Sequence, residues 1–409
     1  MLPIVVFCHL RWDFVFQRPQ HLLTRLAKQR PIVFVEEPVF DAGRASMEIS
    51  SPCTNVTVLR PHSPVGAAGF HHDQMPVLRT LVVDALEAMK LGEYVAWFYT
   101  PMALPLLSSL APQLVVYDCM DELSAFSKAP PELLQREHAL LAAADIVFTG
   151  GPSLYEAKRF QHPAVYCFPS AVDAAHFARG RDPANAHPSL QTLSHPRVGF
   201  FGVVDERFDC GLLAALAKAR PQWQICMVGP VVKIDPATLP QGPNIHYYGQ
   251  QAYADLPSFL AGWDVCLMPF ALNEATRFIS PTKTLEYMAA ERPVVSTAIL
   301  DVASLYGDLV AIAHDPAEFI SACDRALAEL PEERKRRISL MRERVASLSW
   351  DATVSQMAEL IDEALEARVS AGSKLSDIAA GGERLVPAVG SRYAKSQPQK
   401  AVVAMTNGE

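Results

Sequence analysis

The sequence predicts an α/β protein made of two successive doubly wound units that face each other across a cleft. Three observations carry this. Short β-branched runs alternate with longer segments of helical period, the pattern of parallel strands covered by helices. The alternation breaks in a stretch rich in Pro, Ala, Gly and His, "ARGRDPANAHPSLQTLSHP", and then begins again. A chain of 409 residues also exceeds what one core ordinarily holds.

Taken in order, the first unit places strands at 4–8, 32–36, 56–59, 95–99, 114–117, 146–149 and 164–168, with helices between them, clearest at 20–27 and 131–143. The second places strands at 198–201, 224–228, 245–248, 265–268 and 294–297, and helices at 211–219, 254–262 and 282–289. Helical segments at 316–329 and 332–368 follow; within them "SLSWDATVSQMAELIDEALEA" is amphipathic, with Ser349 as its N-cap. These spans give a first domain at 1–185, a second at 186–345, a C-terminal helix at 346–370 packing back toward the first domain, and a tail at 371–409. The tail lacks sustained periodicity and is expected to be flexible. Both sheets turn strand ends and helix starts toward the cleft, the default ligand site of such folds.

Half of the residues are apolar and a fifth are charged, the usage of a soluble globular protein. With 36 basic and 44 acidic residues the net charge is −8, without long runs of one sign, so nothing asks for a nucleic-acid partner. The eight cysteines are scattered with no C-x-x-C pair, which reads as reduced, buried thiols of a cytoplasmic protein. The N-terminal "MLPIVVFCHLRWDF" has no basic region, and its apolar run of about six residues is too short for an export signal. No window approaches the roughly 18 apolar residues of a spanning helix. The expected location is the cytoplasm, with peripheral contact to the inner membrane left open; no clear amphipathic anchor stands out.

Four stretches carry candidate chemistry. In "RFISPTKTLEYMAAERPVVST", Ser280 fits an N-cap and Pro281 the first turn, leaving the amides of Thr282 and Lys283 pointing out of the helix start. Those amides and the Lys283 charge form an anion site, while Glu286, one turn on, suits the vicinal hydroxyls of a sugar. Phosphate and ribose together describe a nucleotide; the plainer alternative is that both residues are ordinary surface charges. In "VGFFGVVDERFDCGLLAALA", Gly202 ends a strand and lets the backbone approach a ligand, and Arg207 can clamp a diphosphate unless Asp205, Glu206 and Asp209 engage it in a surface network. In "CHLRWDFVFQRPQHLLTRLA", His9 leads into Arg11, Trp12 and Asp13, which suit an acceptor sugar or else cap the core. In "VVYDCMDELSAF", Asp118, Asp121 and Glu122 follow a strand where carboxylates bind hydroxyls or act as a base; without a further ligand cluster they make a poor metal site. No G-x-G-x-x-G follows a strand and no G-x-x-x-x-G-K-[ST] occurs.

With these pieces placed, the chain resembles the GT-B glycosyltransferases, and among them the family 4-like group (glycosyl transferases group 1), over most of residues 1–365. The similar segments are "SPTKTLEYMAAERPVVST", "FFGVVDERFD", "WQICMVGP", "NIHYYGQQAYADLPSFLAGWDVCLMPF" and "CFPSAVDAAHF". The opening "FCHLRWDFVFQRPQHLLTRLA" is similar to a bacterial subgroup associated with exopolysaccharide and cell-surface glycan assembly. By position, Glu286 matches the second glutamate of the family's Glu-x7-Glu signature, the ribose ligand, and Phe278 stands where the first would contact the donor sugar. That contact is then lost or supplied by another residue, with Glu274 and Arg277 the candidates. Val203 occupies the family's diphosphate-binding Arg position, with Arg207 the nearest cation and Lys283 restoring charge. Ser170 and Ala171 replace an Asn-Gly pair, and Glu291 replaces a glycine.

The resemblance implies a GT-B fold and a retaining, metal-independent hexosyl transfer from a nucleotide-diphosphate sugar, UDP rather than GDP, to a hydroxyl of a glycan or lipid-linked acceptor. No cofactor is implied beyond the nucleotide sugar as substrate. The implied catalytic groups are Asp121, Arg207 and Lys283. The implied donor site adds Gly202, Gly229, Tyr248, Gly249, Tyr253, Ser280, Pro281, Thr282 and Glu286, with Tyr248 to Tyr253 near the base. His9, Arg11, Trp12 and Asp13 form the acceptor side. A nucleotide-sugar epimerase of the same architecture and a non-catalytic nucleotide-sugar binder are the alternatives.

Overall fold

The computed structural model describes residues 1–41 and 43–381. In the first sheet the strands are β1 (Ile4–Phe7), β2 (Ile32–Val35), β3 (Val39–Phe40), β4 (Ser46–Cys53), β5 (Val56–Ser63), β6 (Val95–Phe98), β7 (Leu114–Cys119), β8 (Ile146–Thr149) and β9 (Val165–Cys167). Their order is β3-β5-β2-β1-β6-β7-β8-β9, with β4 beside β5. All pairings are parallel except β4 with β5. The central strands are apolar on both faces ("IVVF", "IVFV", "VAWF") because helices cover both, as a parallel sheet requires.

The second sheet holds β10 (Arg197–Phe201), β11 (Gln224–Val228), β12 (Ile245–Tyr247), β13 (Val265–Met268), β14 (Val294–Thr297) and β15 (Ala311–Ala313), in the order β12-β11-β10-β13-β14-β15 and wholly parallel. The order reverses direction at β10, so the switch point, and with it the ligand crevice, lies at the C-terminal ends of β10 and β13.

Several features differ from the sequence reading, the short strands β3 and β15 among them. Strand β4 was not foreseen: nearly all of "SMEISSPC" is exposed, so an edge strand pairing with β5 leaves no alternation to read. The stretch read as a linker is instead part of the second domain's packing. Phe168 and Ala171 still belong to the first core, but Val172, Phe177 and Leu190 are buried in the second, so the chain changes cores near residue 171, not 185. Short turns at Arg179–Arg181, Pro183–Asn185 and Pro188–Leu190 hold it there, with the His187 amide donating to the Ser258 carbonyl at 2.9 Å. Finally, helix Trp350–Gly381 runs past Ala371, where regular structure was expected to end; the rest of the expected flexible tail, residues 382–409, lies outside the described residues.

That last helix crosses back to the first domain. Trp350, Met357 and Ile361 are buried in the first core, and Arg30, itself buried, pairs with Asp362 at 3.0 Å. The Ser349 hydroxyl accepts the Ala352 amide at 3.1 Å and caps the helix. Glu291 follows helix Lys283–Ala289 with φ +62°, a left-handed conformation that suits glycine, and its carboxylate pairs with Arg181 at 2.9 Å and Arg342 at 2.7 Å. No helix among the described residues is long and apolar enough to cross a membrane.

Candidate active site

Three adjoining cavities occupy the cleft. One of about 470 Å³ is lined by the ends of β10 and β11 (Phe201, Gly202, Val228, Gly229), by Gln250 to Tyr253, and by Thr282, Lys283 and Glu286. Its opposite wall is the first-domain loop from Trp12 to Gln17. A second, of about 410 Å³, lies on the first-domain side between His9, Arg11, Glu37, Asp121 and Phe126, and is closed by Arg207 and Lys233 of the second domain. A small junction of about 120 Å³ joins them where Asp121, Arg207, Ser280, Thr282 and Lys283 meet. Gln17 and Val203 line all three.

Two glycines make the larger cavity possible. Gly202 has φ +139°, and a Cβ there would lie 2.2 Å from Lys283 Cε and 2.7 Å from Nζ. Gly229 has φ +138°, and a Cβ there would lie 2.0 Å from the Gly202 carbonyl oxygen. The strand ends therefore sit against each other and against the lysine with no room for any side chain. Gly202→Ala is expected to push the Lys283 ammonium out of the junction, since a flexible side chain yields before backbone does. Affinity for UDP should fall about tenfold, the loss of one charge-assisted contact, measurable by calorimetry.

Lys283 is half-buried and makes no ion pair among the described residues; its Nζ lies 5.5 Å from the Phe200 ring centre and 5.7 Å from that of Phe270. Burial pulls its pKa down to about 8, and burial likewise pushes the Glu286 carboxyl up, each opposed by the other's charge. Lys283 forms no ion pair among the described residues and stands beside the amides of Thr282 and Lys283, which find no backbone acceptor among them, so the helix start is prepared for an anion. A bound diphosphate raises the lysine's pKa above its free value. The ammonium's contribution to affinity is thus complete below pH 8 and fades as pH rises through the free and then the bound pKa. UDP affinity is expected to decline above pH 8 in the wild type and to lose that decline in Lys283→Met.

The helix start differs from the sequence reading in detail. Ser280 does not cap it: the helix begins at Lys283, Thr282 stands at the N-cap with helical dihedrals, and the Ser280 carbonyl accepts the Ser170 hydroxyl at 2.6 Å across the domain boundary. Ser280 and Pro281 line the junction, not the larger cavity. Tyr248 does not reach a cavity, because its ring packs 5.3 Å from Phe259 over the second core; Gly249, φ +66°, supports the site through its carbonyl, which accepts the Gly229 amide at 2.7 Å. Tyr253 lines the larger cavity but its ring is stacked by Phe16 at 4.6 Å and by His176 at 4.3 Å, so it serves as an interdomain contact more than as an open platform.

On the first-domain side, His9 and Arg11 line the second cavity, whereas Trp12 and Asp13 line the larger one facing Gly202 and Glu286. The loop turns because fully buried Glu36 holds it: its carboxylate accepts the Trp12 amide at 2.8 Å and pairs with Arg11 at 3.1 Å and Arg60 at 2.6 Å. Of Asp118, at the end of β7, and Asp121 and Glu122 just after it, Asp121 alone lines these cavities. Burial raises its carboxyl against the pull of Arg207. Asp118 is tied to Arg18 and Glu122 to Lys158. Arg207 is gripped by Asp205 through contacts of 2.7 to 3.2 Å, which fixes its guanidinium at the junction. Glu206 accepts the Ser127 amide across the cleft, and Asp209 caps helix Cys210–Ala219.

Phe278 lines none of the three cavities. Its ring packs on the first-domain core with the Arg277 guanidinium 5.2 Å above it, so the residue at the signature carboxylate position joins the domains. Glu274 and Arg277 face each other at 3.7 Å on the surface, and neither lines a cavity. Sequence reasoning missed Gln17, Glu37 and Lys233, and singled out Val203 only as the residue at the family's Arg position. Gln17 precedes Arg18-Pro19 at a helix start, a readable boundary signal, but nothing local shows that it faces the opposite domain.

Residues 195–329 match the family described as Glycosyl transferases group 1. A Bacillus subtilis (strain 168) protein named as a candidate teichuronic acid biosynthesis glycosyltransferase, TuaH, is 24% identical over 287 residues, covering 64% of this chain and 70% of that one. Sucrose-phosphate synthase from Thermosynechococcus elongatus superposes with a TM-score of 0.70 at 18% identity, covering 90% of this chain and 100% of its own. Anabaena HepE, solved in complex with UDP and glucose, superposes with a TM-score of 0.66 at 14% identity, covering 89% and 100%. Residues 195–329 thus form a group 1 glycosyl transferase domain, and the chain as a whole has the GT-B fold of the structures it superposes on.

Proposed function

We propose that this protein transfers a hexosyl group from a UDP-sugar to a hydroxyl of a glycan or lipid-linked acceptor, with retention of configuration, in the synthesis of a bacterial envelope or extracellular polysaccharide. The observation that carries the reading is the Lys283 ammonium, in no ion pair among the described residues, held against Gly202 with Glu286 on the same helix face of the same cavity. The diphosphate lies at the junction beside Lys283 and Arg207, and the ribose hydroxyls donate to Glu286. As the bond from the sugar's anomeric carbon to the phosphate oxygen breaks, the acceptor oxygen bonds that carbon from the same face. Its proton passes to the departing phosphate oxygen. Lys283 and Arg207 stabilise the charge that builds on the diphosphate, in place of a metal ion. Asp121 stands on the acceptor side of the junction, placed to hold a donor-sugar or acceptor hydroxyl.

The kinship with TuaH and the HepE complex with UDP and glucose support the donor and the envelope role. The test is a panel of nucleotide sugars. Release of UDP accelerated by an acceptor and unchanged by EDTA is expected. Conversion of the donor alone would indicate an epimerase, and heat stabilisation without turnover a binder. If no uridine or guanosine donor binds, the proposal fails.

A further inference from the structure

The second cavity holds two opposite charges with no partner. Glu37 follows β2 and Glu36, and its carboxylate accepts no hydrogen bond and makes no ion pair among the described residues; Arg11 is taken up by the Glu36 carboxylate and by the carbonyls of Glu37 and Pro38. Gly69 makes room for it: at φ +63°, a Cβ there would come within 2.7 Å of Glu37 Oε1. Facing it from the second domain is Lys233, exposed, held at φ +62° in the loop after β11, and likewise without an ion pair among the described residues. His9 lines the same cavity, and its buried Nδ1 has no hydrogen-bond partner among the described residues. Burial raises the Glu37 carboxyl to about 7, and burial together with the Lys233 charge lowers His9 to about 4, so the imidazole is neutral.

We propose that Glu37 and Lys233, one from each domain, hold the non-reacting end of the acceptor, and that this end is a neutral, hydroxyl-rich pyranose ring. The inference rests on the transferase reading above. A hydroxyl can donate to Glu37 while another accepts from Lys233, so a neutral ring satisfies both charges at once. An anionic ring would satisfy Lys233 but bring its charge against Glu37. The same cavity opens on Asp121 and Arg207 at the junction, so a ring anchored at Glu37 and Lys233 directs its far hydroxyl toward the donor. Because the two anchors belong to different domains, acceptor binding also favours the closed cleft.

The experiment uses the full chain saturated with UDP and measures binding of methyl glucopyranoside, neutral, and of glucuronate, anionic, by saturation-transfer NMR. The variants are Glu37→Gln and Lys233→Asn, the latter because asparagine tolerates a positive φ. Expected is binding of the neutral pyranoside in preference to glucuronate, weakened about tenfold or more in each variant, with UDP affinity and melting temperature held at wild-type values. The proposal is overturned by unchanged pyranoside binding in both variants, by no pyranoside binding to the wild type, or by preference for glucuronate that Glu37→Gln strengthens. Failure of the wild type to bind UDP is a separate result: it strikes the donor reading, while the pyranoside comparison is still read on the free protein.

Discussion

Asp118→Ala should be among the most destabilising single substitutions in the protein, by about 3–5 kcal/mol. Asp118 is fully buried at the end of β7 and grips the guanidinium of Arg18, which is 5% exposed, through contacts of 2.9, 3.2 and 3.2 Å. Arg18 also donates to the Phe168 carbonyl at 2.7 Å and so ties the first helix to the last strand of the sheet. Burial raises the Asp118 carboxyl even against the Arg18 charge, which shows how costly it is to hold the pair away from water. The pair's net contribution is therefore small, but removing the carboxylate alone leaves a buried cation without its counter-ion. Urea unfolding followed by tryptophan fluorescence should show the midpoint falling for Asp118→Ala and recovering for Arg18→Met combined with Asp118→Leu. An unchanged midpoint for the single variant would show that the guanidinium finds water or another partner.

Lys283→Met should do the opposite: little or no loss of stability and a large loss of donor affinity. The methionine keeps an apolar chain beside Phe200 and Phe270 and removes a desolvated charge that forms no ion pair among the described residues, while Glu286, whose carboxyl burial already raises to about 7, takes up a proton. Stability is expected to hold or rise. Affinity for UDP is expected to fall about 10- to 100-fold, the loss of about 1.5–3 kcal/mol from charge-assisted hydrogen bonds to the diphosphate. Uridine, which lacks the diphosphate, should bind both forms alike. A lysine serving only as a surface charge would change neither ligand.

Much of the architecture was legible in the sequence because a parallel sheet writes itself as apolar runs between amphipathic helices, as in "IVVF", "VCLM" and "VVST". What failed to register was settled by tertiary packing. Polar β4 exists because β5 offers it an edge, and the segment at 172–190 looks like a linker until Phe177 and Leu190 are seen buried in the second core. In the candidate site, Gly202, Lys283 and Glu286 stood out because strand-end glycines and helix-start charges are local signals. Ring packing took Tyr248 and Phe278 away from the ligand, and the turn imposed by Glu36 moved Trp12 and Asp13 to the donor cavity. Glu37 and Lys233 carry no motif at all; only the meeting of the two domains puts them in one cavity.

The central claim is that a nucleoside diphosphate binds between the ends of β10 and β11 and the start of helix Lys283–Ala289. A crystal structure of the protein soaked with UDP tests it most directly. The account predicts the diphosphate beside Lys283 Nζ and the Thr282 and Lys283 amides, with the ribose hydroxyls on Glu286. A nucleotide bound elsewhere, or one in this cavity with its phosphates turned away from Lys283, would contradict it.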